Sequence, residues 1–456
     1  MKICFITIVP HTGSLNPLKT IAKHQENKGD EITFVVPEEL KTNIPKQYKT
    51  ISLGRVNYNK PFSEKLKGGI YDQIGLYSSG IMNYIFDIFW EASTSMTRVC
   101  DEINKDIPDI FIMDDINIMN IGDIFGKRFG KNIILHNPRN ASLASFSKTG
   151  HHPGGIDIGK RELVYNCAAT INVYEGGFIF NMMMKYEKTI RKLSALCIKI
   201  NAFYERCISS QMNRTIQKTA KLHKEIKENF TEIKEYKVYK VYQQLSNIEQ
   251  KLLNKSEQMS NVPNTTKIMD PFFNEEISNE EIEQDIVEWI DGDEYIYISF
   301  GTLVQLNKKI VTEIVEGIKR CNIKAIWSMP KDQQKICLDY NNMTENILFR
   351  EFVQQKELLK QKNMKIFITH CGGNSLMEGF TSGKCMLCIP FYQDQNVNSS
   401  IVTGLGVGEI IWQLFLSRYE FEKKVKQILK NTKYKENSEY VKNEIKSGLN
   451  EFSEYI

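Results

Sequence analysis

The feature that most constrains this chain is the stretch from Arg350 to Gly408, where a short apolar run is cut off by a polar, glycine-rich turn. Ile366-Phe367-Ile368 is too short for a helix and stops at Thr369-His370-Cys371-Gly372-Gly373, which fits a buried parallel strand entering a tight turn. A helix is expected next: Ser375 and Glu378 have capping-box spacing, and Gly383 is placed to end it. A second apolar strand and a polar loop complete the stretch. A glycine turn at a helix N-terminus aims backbone N–H groups at one point, where the helix dipole favours an anion. His370, Asn374 and Ser375 add side-chain donors, so the residues by themselves describe a phosphate or diphosphate site.

The rest of the chain must supply a scaffold for that site. At 456 residues it is too long for one ordinary core, and two domains of comparable size are expected. A net charge of +4 is small for this length and gives no reason to expect nucleic acid. Cys385 and Cys388 sit two residues apart but in an apolar strand, without a second pair or a nearby His, which argues against zinc. The ten scattered cysteines fit reduced thiols in a cytoplasmic protein. The opening KICFITIVP reads as a strand rather than a signal peptide, and no run of about 18 apolar residues suggests a membrane span.

Strand and helix patterns alternate twice. Residues 3–9, a helix from Leu18 to Lys28 ended by Gly29, and a strand from Ile32 to Val36 make a first β-α-β unit, without GxGxxG. Ile110 to Met113 forms a strand that delivers Asp114 and Asp115 at its C-terminal end, where open α/β sheets place their chemistry. A helix at 121–129, a strand at 132–135 and a loop from Asn137 to about Lys160 follow, with His136, His151 and His152 read as surface histidines. The Met- and aromatic-rich helical pattern of 71–105 suits core packing, with the lining of an apolar ligand pocket as the other reading. Residues 180–256 are Lys- and Glu-rich and read as long amphipathic helices with a solvated face; peripheral contact with an anionic membrane is the minority reading. The alternation restarts near residue 284, with strands at 295–300, 324–328 and 347–350 around a helix at 309–321. The composition shift places a linker between roughly residues 255 and 285.

These residues resemble the UDP-glycosyltransferase family of nucleotide-sugar glycosyltransferases, glycosyltransferase family 1 in type. The motifs are Phe352 with Gln355, Thr369-His370-Cys371-Gly372-Gly373-Asn374-Ser375, Glu378, Asp394-Gln395 and Asn398, all in register with the family's signature box. The resemblance covers roughly 284–412, with weaker similarity over the first 140 residues. It implies an α/β GT-B fold of two Rossmann-like parallel-sheet domains facing across a cleft. Residues 1–265 would form the acceptor-binding domain, 266–430 the UDP-sugar domain, and 431–456 a helix crossing the junction. Phe352, at the family's usual Trp, would stack on the uracil, with Gln355 near the nucleoside. Glu378 would accept from the ribose hydroxyls. His370, the Gly372 to Ser375 backbone, Asn374 and Ser375 would hold the diphosphate without a metal, and Asp394 and Gln395 would bind the sugar. Gly301 and Thr302 would lie at the SFGS-like turn. No cofactor or metal is implied beyond the UDP-sugar donor.

On the acceptor side the family uses a His general base oriented by an Asp. Asp114 matches the Asp, but Ser14 stands at the base position, and His11 lies three residues earlier in Pro10-His11-Thr12-Gly13-Ser14. A serine hydroxyl is no general base at neutral pH, so either His11 takes the role, which is the reading favoured, or the acceptor is an amine or thiol that needs little base assistance, or the chain binds the nucleotide sugar and transfers poorly. The resemblance implies an inverting UDP-dependent hexosyltransferase, with glucose as the sugar and a small hydrophobic acceptor. The alternatives are a nucleotide-sugar-binding pseudoenzyme, which Ser14 favours, and a UDP-sugar hydrolase or epimerase.

Overall fold

The computed structural model describes residues 1–8, 12–55, 95–114, 121–140, 235–243, 266–273, 281–301, 304, 306–338, 346–391 and 395–456. Two parallel sheets organise them. The first carries β1 (Lys2–Ile6), β2 (Glu31–Val36), β3 (Lys49–Ser52), β4 (Ile110–Asp114), β5 (Ile133–Asn140), β6 (Val238–Gln243) and β7 (Thr266–Met269) in the order β3-β2-β1-β4-β5-β6-β7. The second carries β8 (Tyr295–Ser299), β9 (Lys324–Ser328), β10 (Ile347–Arg350), β11 (Met364–Thr369), β12 (Cys385–Cys388) and β13 (Gly408–Ile410) in the order β10-β9-β8-β11-β12-β13.

Each sheet winds outward from its first strand in both directions, so each has a topological switch point. In the first sheet it lies between β1 and β4, and in the second between β8 and β11. Ligands of open α/β sheets bind beyond the strand C-termini at such points. The central strands are apolar on both faces because both faces are covered: Ile3 and Phe5 enter one core cluster while Cys4 and Ile6 enter another.

The final helices serve different sheets. Val441, on the helix Thr432–Glu444, packs in the second-sheet core. The helix Leu449–Tyr455 sends Leu449 and Phe452 into the first-sheet core, where Gln25 donates to the Ser453 hydroxyl at 2.7 Å. The strand Thr266–Met269 follows the boundary expected at residue 265 yet completes the first sheet.

Several sequence expectations need correction. The first helix spans Thr12–Asn27 and contains Pro17, instead of starting at Leu18; proline removes only the hydrogen bond to the residue 13 carbonyl, and Gly13 has open space around it. Within the Lys-rich segment, Val238–Gln243 is strand, since VYKVYQ is rich in β-branched and aromatic residues and finds β5 and β7 on either side. The remainder of 180–256 lies outside the described residues, apart from 235–237, as does most of the 71–105 pattern. β5 runs to Asn140, into the segment expected to be loop, with a register irregularity between Asn137 and Asn140. His136 on this strand is fully buried and stacks on Phe272 at 5.1 Å, so it is no surface histidine.

Candidate functional site

The C-terminal edge of the second sheet gathers most of the expected donor residues. β11 ends at Thr369, and Cys371 takes a left-handed conformation at φ 65°, stabilised by its N–H donating to Thr369 Oγ1 at 3.2 Å. That residue turns the chain so that Gly372 caps the helix Gly373–Ser382 with no side-chain hydrogen bond. The capping box expected from Ser375 and Glu378 is therefore not formed; Ser375 is already inside the helix. Gly383 ends it with φ 67°. Asn398 donates to the Cys371 carbonyl at 2.9 Å and pins the turn to the helix Gln395–Gly404.

Glycine is needed at two places around His370. A Cβ on Gly372 would lie 2.5 Å from His370 Nε2, and one on Gly301, itself at φ 70°, would lie 3.0 Å from Cε1. The imidazole thus sits wedged between the ends of β8 and β11, at the switch point. Burial pushes its pKa down to about 4 against the opposing hydrogen bond with the Ser299 backbone, so the ring is neutral at pH 7.

Gln355 and Glu378 meet on adjacent helices. Tyr297 donates its hydroxyl hydrogen to Gln355 Oε1 at 2.9 Å, and Gln355 Nε2 donates to Glu378 Oε2. Burial raises the Glu378 pKa, while the Gln355 hydrogen bond and the Lys356 charge oppose that rise. Phe352, just past β10, is 69% exposed, an uncommon state for a large aromatic and a ready flat platform. Gln395 is buried and accepts from the Phe391 N–H at 2.8 Å, so its side-chain oxygen clasps the loop. Thr302 and Asp394 lie outside the described residues.

In the first sheet the switch point holds Thr7 and Asp114, both buried, with the Thr7 hydroxyl donating to Asp114 Oδ2 at 2.7 Å. Ser14 is half-buried in the first turn of the helix Thr12–Asn27. His11 lies outside the described residues. His136 shares the register of Asp114 on the neighbouring strand. Thr7, Tyr297 and His136 were not singled out as site residues from sequence; strand register was the signal that could have placed Thr7 and His136 beside Asp114.

A family model described as UDP-glucoronosyl and UDP-glucosyl transferase matches residues 262–442. Over that segment, about two fifths of the chain, the sequence is similar to the UDP-glycosyltransferase family. Among curated relatives, an anthocyanidin 3-O-glucosyltransferase of Solanum melongena is 30% identical over 145 residues, covering 29% of this chain and 31% of its own. A nuatigenin 3-beta-glucosyltransferase of Solanum aculeatissimum is 31% identical over 130 residues, 27% of this chain and 26% of its own. The chain thus matches about a third or less of the length of these relatives. Structural likeness extends further: Os79 of O. sativa, solved with U2F and trichothecene, aligns with TM-score 0.67 at 13% identity over 99% of both chains. An anthocyanidin 3-O-glucosyltransferase solved with UDP aligns with TM-score 0.62 at 14% identity over 97% of this chain and 94% of its own. The fold is accordingly α/β GT-B. Among its described residues no helix is long and apolar enough to cross a membrane.

Proposed function

We propose that this chain transfers a sugar from a UDP-sugar to a small acceptor, with inversion at the anomeric carbon. The observation that carries this reading is the Gln355–Glu378 pair together with His370 and the uncapped helix N-terminus beside the switch point of the second sheet, with the exposed ring of Phe352 three residues before Gln355. An exposed ring suits base stacking, a carboxylate suits a ribose diol, and uncapped N–H groups suit a diphosphate. The UDP complexes of the aligned structures support the choice of nucleotide.

The donor is held without a metal in this proposal. The helix N-terminus supplies hydrogen-bond donors to the leaving diphosphate, as preorganised dipoles do elsewhere, with His370 packed beside it. Asp394 and Gln395 complete the sugar pocket, with glucose as the donor sugar in keeping with the glucosyltransferases among the relatives.

Asp114 is the fixed carboxylate of the acceptor side. It orients His11, which takes the proton from the acceptor hydroxyl as that oxygen attacks the anomeric carbon and UDP departs. Ser14 occupies the family's base position without base chemistry. The acceptor is small and hydrophobic in this reading; the flavonoid and steroid names among the relatives agree with that class.

UDP release from UDP-glucose tests the proposal, measured with and without a panel of hydrophobic alcohols, phenols and amines. Acceptor-dependent release is expected. Release independent of acceptor identifies a hydrolase, and binding without turnover identifies a pseudoenzyme; either result overturns the reading.

A further inference from the structure

A carboxamide side chain presents an acceptor at one end and donors at the other, so what holds one end dictates the other. Gln355 is held at its acceptor end. Tyr297, buried in β8 and stacked on Phe367 at 5.5 Å, donates to Gln355 Oε1 at 2.9 Å. Burial raises the phenol's pKa and the nearby Glu378 charge adds to that rise, with the Ser299 and Ser328 hydroxyls opposing it, so the phenol keeps its proton to donate. The hydrogens therefore run one way along the row, from Tyr297 to Gln355 to Glu378, whose Oε2 receives the Gln355 Nε2.

We propose that Tyr297 is a positioning residue for ribose recognition: by holding Oε1 of Gln355 it turns the amide donors toward Glu378 and keeps that carboxylate oriented to accept from the sugar hydroxyls of a ribonucleotide. This deepens the UDP-sugar reading and rests on it. Without the phenol hydroxyl, the Gln355 amide is free to rotate and place its oxygen against the carboxylate. Two acceptors then face each other, Glu378 turns away or takes up a proton, and it no longer accepts the 2′-hydroxyl. The site thereby loses its preference for ribose over deoxyribose, whereas contacts to base and diphosphate stay in place. Tyr297→Phe keeps the ring that stacks on Phe367, so the substitution isolates the hydroxyl.

The test is calorimetric titration of the full chain with UDP and with 2′-deoxy-UDP. The wild-type chain is expected to prefer UDP by about tenfold or more, the worth of one hydrogen bond to a charged acceptor. Tyr297→Phe should weaken UDP by about five- to tenfold, leave 2′-deoxy-UDP within about twofold, and so collapse the ratio. Equal weakening of both nucleotides, or an unchanged ratio, overturns the proposal. Thermal unfolding checks that the variant is folded. Should it not fold, Gln355→Met carries the test: its ratio must collapse too, and a retained preference overturns the inference. In the double variant Tyr297→Phe/Gln355→Met, no loss beyond that of Gln355→Met is expected, since both act through one route. A wild-type chain that binds neither nucleotide sinks the donor-site reading itself, whereas one that binds both equally sinks only the ribose role.

Discussion

The Thr7 hydroxyl donates to Asp114 Oδ2 at 2.7 Å, tying together the ends of β1 and β4 at the switch point of the first sheet. A carboxylate fixed in this way is oriented before any substrate arrives. Asp114→Asn retains the shape but not the charge. It should lower acceptor-dependent turnover by about 100-fold or more, the usual weight of assisted proton transfer, with UDP affinity unchanged. Steady-state rates and a UDP titration on the same preparation check both halves, and a parallel loss of UDP affinity would sink the separation of roles. Thr7→Val should cost about 1–3 kcal/mol in urea unfolding, because it leaves a buried carboxylate short of a donor.

The base assignment is tested at two positions. His11→Ala should abolish acceptor-dependent UDP release, and unchanged transfer would show that the assignment is wrong. Ser14→His places an imidazole in the first turn of the helix Thr12–Asn27. It should restore turnover to a His11→Ala background, read by the same release assay.

Phe352 separates binding from stability. Because the ring is 69% exposed, Phe352→Ala should leave the unfolding midpoint nearly unchanged. It should nevertheless weaken UDP by about 1–3 kcal/mol if a base stacks there. Glu378→Ala and His370→Ala should each weaken UDP severely, and unchanged affinity in both would remove the site.

Two glycines give opposite expectations. A Cβ on Gly408 would lie 2.0 Å from the Met386 carbonyl oxygen, across the β12–β13 pairing. Gly408→Ala must push two strands apart and should destabilise by about 1–3 kcal/mol. Gly13 lies in a helix with nothing within 4 Å of the added atom, so Gly13→Ala should stabilise by about 0.5–1 kcal/mol. Denaturant midpoints distinguish the signs.

Buried histidines set an acid dependence. Burial lowers His136 from 6.5 to about 3 and His370 from 6.5 to about 4. Between about pH 4 and 6.5 the unfolded chain binds protons that the folded chain excludes, so stability increases with pH across that window. The histidine contribution is fully present above about 6.5 and falls on acidification, by up to about 1.4 kcal/mol per pH unit for each ring. Urea midpoints at several pH values should show a shallower slope for His136→Gln than for the wild-type chain. Identical slopes would mean that His136 takes up its proton within the fold.

The parts legible in sequence were those whose signal is local. Ile366-Phe367-Ile368 reads as a doubly covered strand because both faces are apolar, and Gly383 reads as a helix end because only a left-handed residue fits there. The strand Val238–Gln243 was not legible, since its few β-branched and aromatic residues sit in a Lys-rich context and become a strand only by pairing with β5 and β7. The helix start at Gly373 was misplaced for a similar reason: Cys371 adopts φ 65° only with its N–H held by Thr369 and its carbonyl by Asn398.

The Arg350 to Gly408 stretch by itself determined the chemistry of the candidate donor site, because a glycine turn, a helix N-terminus, a carboxylate and an aromatic at fixed spacing are properties of one stretch of sequence. Tertiary structure alone decided how those groups are oriented. Tyr297 reaches Gln355 across 58 residues of sequence, and Thr7 reaches Asp114 across 107. A hydrogen bond needs its partners within about 3 Å, and no spacing along the chain specifies that for residues brought together only by the winding of a sheet.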